Sequence, residues 1–218
     1  MMATPTASTT NGGTSRRQWQ RDQTAAEIER AALPVLLRLG FDGATAELLA
    51  EASGVSLRTL FRYYPSGKDD IILAGLRRSL SAFETALRAR PADESLLEAL
   101  TAARDEWFDQ MEAAAPDAAG RERAVQLTLQ IATDHPDLTA RMLGERQMLA
   151  ERVVDVFAAR LGLDGATELQ PRLAAHCFVA ALITAYFAAM STPGSDARAL
   201  VEQAVAMIAP LLLHSPGN

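Results

Sequence analysis

A handful of side chains in one short stretch have the right types and spacing to recognise a nucleic acid. They are Ser56, Leu57, Arg58, Thr59, Arg62, Tyr63 and Lys68. An arginine can hold guanine through two hydrogen bonds, and a threonine can contact a base or a phosphate. Tyr63 and Lys68 are placed for phosphate oxygens. Arg16, Arg17 and Arg21 lie further upstream as a basic arm that can reach phosphates or a minor groove, with a mobile tail as the competing reading. Thr45 is first a helix cap and second a phosphate contact. Catalytic chemistry finds no such constellation. The sequence has no Gly-rich phosphate loop, no nucleophile elbow and no His-Glu metal pair. The single cysteine, Cys177, and three scattered histidines leave neither a disulfide framework nor zinc-ligand spacing. No enzyme activity, metal or cofactor is therefore expected.

A second group has the character of a small-molecule pocket: Phe83, Trp107, Phe108, Met111, Gln126, Gln130, Met142 and His176. Trp107 and Met111 share a helix face, and methionine adapts to varied apolar ligands. Core packing is the competing reading. Gln126 and Gln130 are one helical turn apart. Facing inward they need a polar partner or ligand, and otherwise they belong to a solvated face. His135 suits a helix-cap turn, and His176 beside Cys177 also reads as part of a packed helix.

The elements that position these residues are all helical. The chain has 42 Ala, which favours helix throughout. Its balance of 49% apolar and 22% charged residues is that of a globular chain. Residues 1–15 read as a disordered tail. Thr24 and Glu27 form a capping box ahead of Ile28, Ala31, Ala32, Val35, Leu36 and Leu39, which keep helical spacing to Gly40. Pro34 inside this pattern predicts a kink. Thr45 caps a helix over Ala46 to Ala52, and Ser53-Gly54-Val55 is a tight turn. Ser56 caps another helix over Leu57 to Tyr63 or Tyr64. Leu48, Leu49, Ala52, Val55 and Leu60 are the expected mini-core of this helix-turn-helix. Later helices are expected near 68–90, 91–115, 116–134, 135–161, 167–190 and 196–213, making about nine with no strand. The longest strongly apolar run, Phe178 to Met190, is short for a membrane span. Met1 to Gly13 lacks the apolar core of a secretory signal, so a cytoplasmic location is expected.

Charge is divided unevenly. Residues 1–68 carry eight basic and six acidic side chains, a net of +2; residues 69–218 carry 13 and 21, a net of −8. An acidic body with a basic head suits a protein that uses only its head on DNA.

The runs Gly40-Phe41-Asp42-Gly43-Ala44-Thr45, Leu49 to Ser56 and Thr59 to Lys68 resemble the DNA-binding domain of the TetR family of transcriptional regulators. That resemblance implies an all-α fold with a helix-turn-helix domain over 16–68 and a ligand-binding and dimerisation domain over 69–218. It makes Leu57 to Tyr63 the recognition helix and the last two helices the interface of a homodimer. The helices between would line a ligand pocket. Three residues depart from the family pattern: Phe61 stands where a tyrosine is usual, Gly67 looks inserted before Lys68, and Pro34 is unusual in the first helix. His135 to Leu143, with the helices after it, resembles a subclass associated with acyl-CoA-like ligands, which favours an apolar effector. The expectation is a dimeric regulator, more in the manner of a repressor, on double-stranded palindromic operator DNA, released by an apolar small molecule and not associated with membranes. The alternatives are a helical ligand-binding protein that has lost DNA binding and a helical enzyme.

Overall fold

The computed structural model describes residues 12–114, 118–192 and 195–213. Ten helices and no strand are present among them. The chain divides into two compact units, Met1–Ile71 and Ile72–Asn218.

The first unit contains α1 (Gly12–Gly43), α2 (Ala46–Ala52), α3 (Leu57–Tyr63) and the start of α4 (Lys68–Arg88). α1 begins a dozen residues before the expected capping box. Thr24 lies inside it, and its hydroxyl donates to the Gln20 carbonyl at 3.0 Å, the usual resort of a mid-helix threonine. Residues 12–15 of the expected tail are helical, and residues 1–11 lie outside the described part. The expected periodicity places Ile28, Ala32, Val35 and Leu36 in the core. The departure from helical geometry falls at Gly40 (φ 73°, ψ 174°), whereas the kink was expected at Pro34. That backbone region is essentially closed to residues with a Cβ, so Gly40 is what lets the chain turn into Phe41, which is buried.

The second unit holds the rest of α4 and α5 (Leu96–Ala114), α6 (Ala118–Asp134), α7 (Pro136–Arg152), α8 (Val154–Leu161), α9 (Leu169–Ser191) and α10 (Ala197–Leu213). The single helix expected over 135–161 is two, broken at Val153 (φ −98°, ψ 1°). No glycine or proline marks this break. Val153 is fully buried, so tertiary packing sets it. Gly162, at φ 68°, caps α8 in the left-handed conformation, its amide donating to the carbonyls of Ala158 and Ala159.

Leu169–Ala189 of α9 is, by length and composition, apolar enough to cross a membrane, a longer segment than Phe178 to Met190. Its inner side is used in the core, where Ala174, Ala175, Phe178, Val179, Leu182 and Ala185 are buried. α7, α8 and α10 pack along it. Phe83 stacks on Phe178 at 5.8 Å between ring centroids, and Phe157 meets the same ring at 6.2 Å. Phe83, a candidate pocket residue, is therefore a core residue with 1% exposure.

Ion pairs fasten α4 to the two helices behind it. Arg77 Nε donates to Glu145 at 2.7 Å, Arg152 Nε to Glu84 at 2.7 Å, and Arg88 Nη1 to Asp155 at 2.8 Å. Burial acts to raise the Glu84 carboxyl, but hydrogen bonds from Arg152 and Arg88 outweigh it and hold the group below the usual carboxylate range.

The Gly40 geometry sets the first prediction. Gly40→Ala should destabilise the protein by about 1–3 kcal/mol, measured by urea unfolding, because alanine is strained in that conformation. Unchanged stability would show that the turn into Phe41 tolerates a side chain.

Candidate nucleic-acid interface

α2 and α3 are seven residues each, too short to persist alone in water. Their caps and their buried residues hold them. Thr45 Oγ1 accepts the Leu48 amide at 3.4 Å, and Ser56 Oγ accepts the Thr59 amide at 3.1 Å. Glu47 in the first turn of α2 is held below its ordinary pKa by the backbone amide and then by the Thr45 side chain. Gly54 at φ 64° makes the turn, and the Val55 amide closes it on the Ala50 carbonyl at 3.0 Å.

The core beneath differs in part from expectation. Leu49 and Leu60 are fully buried and Val55 half-buried, but Leu48 and Ala52 are exposed. Ala50, Phe41 and Ala44 are buried in the same unit. The apolar face of α2 thus runs through Leu49 and Ala50, one position away from the face inferred for Leu48 and Ala52. Tyr64, just after α3, donates from its hydroxyl to Glu29 Oε1 at 2.6 Å and lies 3.0 Å from the Ala25 carbonyl, tying the end of α3 to α1. Burial pushes its phenol up to about 12, so it stays a donor.

Within α3 only Leu60 is buried. Leu57, Arg58, Phe61 and Arg62 are exposed, with Thr59 and Tyr63 half-buried. Ser56 is exposed and shares a 2.9 Å hydrogen bond with the Thr59 hydroxyl. Beside α3, Arg62 and Arg21 flank the Tyr63 ring at 5.2 and 6.0 Å from its centroid. These three residues, with Gln20 and Thr24, line a polar cleft of about 340 Å³. Two guanidiniums around a phenol form an anion-attracting surface suited to a backbone phosphate. Arg16 is exposed on the preceding part of α1. Arg17 lies on the same helix, its side chain outside the described residues. Thr45 is exposed and serves as the cap. Lys68 is the one candidate turned to an internal task. Its ammonium donates to the Phe41 carbonyl at 2.7 Å and sits 4.3 Å from the Phe41 ring centroid. Gly67, at φ 62°, makes the bend before it, with its amide on the Tyr64 carbonyl at 2.8 Å.

The second unit contains a cavity of about 360 Å³ walled by Phe108, Met111, Ala124, Val125, Tyr186 and Ala189. At its edge Arg198 bonds Asp109 and, at 3.2 Å, Glu112. Of the eight candidate pocket residues, only Phe108 and Met111 line it. Phe83 stacks in the core. Trp107 is also core, with its indole Nε1 donating to Ser79 Oγ at 2.8 Å. Its ring meets Tyr186 at 6.1 Å between centroids. Gln126 is exposed, and Gln130 and Met142 lie outside the cavity wall. His176 pairs with Glu151 at 2.9 Å on the far end of α9. Ala124, Val125, Tyr186 and Ala189 were not singled out from sequence, where they look like ordinary helix residues.

Comparison with known proteins agrees with this geometry. Residues 28–74 match the family described as Bacterial regulatory proteins, tetR family, and residues 94–213 match the MftR C-terminal domain. The chain is 29% identical over 178 residues to the HTH-type transcriptional regulator TcmR of Streptomyces glaucescens, spanning 81% of this chain and 77% of that protein. It is 31% identical over 93 residues to an uncharacterized HTH-type transcriptional regulator of Mycobacterium bovis, spanning 41% of this chain and 48% of the relative. Its fold is similar to the crystal structure of a protein from Mesorhizobium loti described as a TetR-family transcriptional regulator, with a TM-score of 0.53 and 18% identity over 88% of this chain and 96% of that one. The matched regions take in the capped helix-turn-helix and most of the second unit, so the chain belongs to the TetR family of transcriptional regulators and carries its DNA-binding domain at the N-terminal end.

Proposed function

We propose that the protein is a cytoplasmic, non-enzymatic repressor that binds a palindromic operator as a homodimer and releases it when a largely apolar small molecule occupies the cavity of the second unit. The observation that carries the DNA reading is that α3 buries one side chain of its seven and exposes Leu57, Arg58, Phe61 and Arg62. Arg58 and Arg62 reach base edges in the major groove, with Leu57 and Thr59 against the same edges. Arg16, Arg17, Arg21, Thr45, Ser56 and Tyr63 serve the phosphates. Lys68 serves the fold, holding the start of α4 to Phe41.

The dimer reading rests on the outer side of α9 and α10. Leu173, Ala180, Thr184 and Ala188 on α9 are exposed, as are Ala206 and Met207 on α10. Ala174 and Ala185 on the opposite side of α9 face the core of their own protomer. A two-fold pairing through this face supplies two recognition helices, one for each half-site of an operator whose half-sites lie about 34 Å apart, one turn of DNA. The effector acts as a population shift: it favours a conformer whose recognition helices are mis-spaced, and α4, fastened by its ion pairs to α7 and α8, transmits the change.

Selection of bound DNA from a random duplex pool tests the reading. The full chain should enrich a palindrome that an Arg58→Ala, Arg62→Ala double variant fails to enrich. No enrichment by a folded dimer would transfer the assignment to a ligand-binding protein without DNA affinity. Ala180→Arg places a charge on the exposed face of α9 without touching the core. It should sediment as a monomer and lose the selected duplex at concentrations that saturate the wild type. A dimeric Ala180→Arg variant would place the interface elsewhere.

A further inference from the structure

The cavity of the second unit carries a charge pattern at its edge that the reading above leaves unused. Glu112 on α5 and Asp196 just before α10 line it together with Arg198, the only cation among its described lining residues. Arg198 lies in the first turn of α10 and reaches across to α5. Its guanidinium is 5.3 Å from the Phe108 ring centroid, and it bonds Asp109 and, through Nε at 3.2 Å, Glu112. Asp196 Oδ1 accepts the amides of Arg198 at 2.9 Å and Ala199 at 3.3 Å, which caps α10. Three carboxylates thus gather around one guanidinium, and the edge is net negative.

An aromatic face flanked by carboxylates is a seat for a cation, and Arg198 occupies it. Phe108 belongs both to this seat and to the cavity wall, so one molecule can span the two. The wall beyond is apolar at Met111, Ala124 and Val125. An anion finds no such place. The guanidinium at the edge already carries two carboxylates, and a further acid group meets the like charge of Asp109, Glu112 and Asp196. The side chains of Asp109 and Glu112 are 72% and 55% exposed, and exposed ion pairs are weak, so a ligand head can displace Arg198 at small cost.

We propose that the effector is an organic cation, with an apolar body against Met111 and Val125 and an ammonium or amidinium head that replaces the Arg198 guanidinium on Phe108 between Asp109 and Glu112. The proposal rests on the cavity being the effector site. It adds that the sign of its charge, and not apolarity alone, selects the ligand. It also gives occupancy a consequence: displacing Arg198 unfastens the first turn of α10 from α5, and α10 carries Ala206 and Met207 of the face assigned to the dimer.

The test is calorimetric titration of the full-length protein with two matched sets: decylammonium, decan-1-ol and decanoate, and 2-naphthylmethylammonium, 2-naphthylmethanol and 2-naphthoate. At least one ammonium should bind about 3- to 10-fold more tightly than its alcohol, the preference that exposed charges and one aromatic face supply. Its carboxylate should bind more weakly than the alcohol, and added salt should narrow both differences. The Asp109→Asn, Glu112→Gln double variant should lose the ammonium preference and keep the alcohol affinity. Arg198→Met should do the reverse, tightening the ammonium because its competitor is gone; a merely structural arginine would weaken ammonium and alcohol alike. Failure of both ammoniums to bind, binding no tighter than the alcohols, or an Arg198→Met variant that does not tighten the ammonium overturns the proposal. Val125→Trp, which fills the cavity, separates this proposal from the reading beneath it. If it abolishes binding of ammonium and alcohol that the wild type binds equally, the cavity is the site and only the cation assignment fails. If the ammonium preference survives Val125→Trp, the carboxylates hold cations outside the cavity, and the effector-site reading fails with the proposal.

Discussion

The outward presentation of α3 depends on the burial of Leu60. A seven-residue helix cannot persist alone, and α3 offers the core a single side chain. Leu60 supplies that anchor, Ser56 closes the N-terminal end, and Tyr64 ties the C-terminal end to Glu29 on α1. With one face fixed this way, the exposed positions follow from helical geometry: Arg58 and Arg62 lie one turn apart, and Leu57 and Phe61 beside them. Phe61 carries no hydroxyl for a phosphate. Tyr63 does, and it stands between two arginines at the adjacent cleft.

The second unit solves a different problem, that of leaving a recess open to solvent in a packed helical body. Phe83, Phe157 and Phe178 fill the centre between α4, α8 and α9. Towards the other end of α9, Ala189 together with Ala124 and Val125 does not close the gap against Phe108 and Met111. Different small residues, Ala180, Thr184 and Ala188, form the exposed side of α9. α4 belongs to both units in sequence, and its ion pairs with α7 and α8 keep it coupled to the body that holds the cavity.

Local signals made the helix-turn-helix legible in the sequence. Thr45, Gly54 and Ser56 act within three or four residues of themselves, and the caps and turn form where those residues predict. Non-local features were not legible in the same way. The start of α1 is a run of polar residues without apolar periodicity, a solvated helix that looks like a tail. The break at Val153 has no glycine or proline to mark it and follows from packing. Trp107 and Phe108 are neighbours on one helix, and nothing local says which faces the core and which the cavity. Arg146 reads in sequence as a surface arginine of a polar helix, and only the packing of α7 on α9 reveals it as a buried charge beside an aromatic ring.

The central claim is that α3, held by Leu60, reads base edges through Arg58. The direct measurement is the affinity of wild type and Arg58→Ala for the selected operator and for duplexes carrying each alternative base at every half-site position, at fixed salt. The account predicts that Arg58→Ala erases discrimination of about 1–3 kcal/mol at one position in each half-site and leaves the other preferences intact. Uniform weakening on every duplex, with the base preferences unchanged, would contradict it and make Arg58 a phosphate contact.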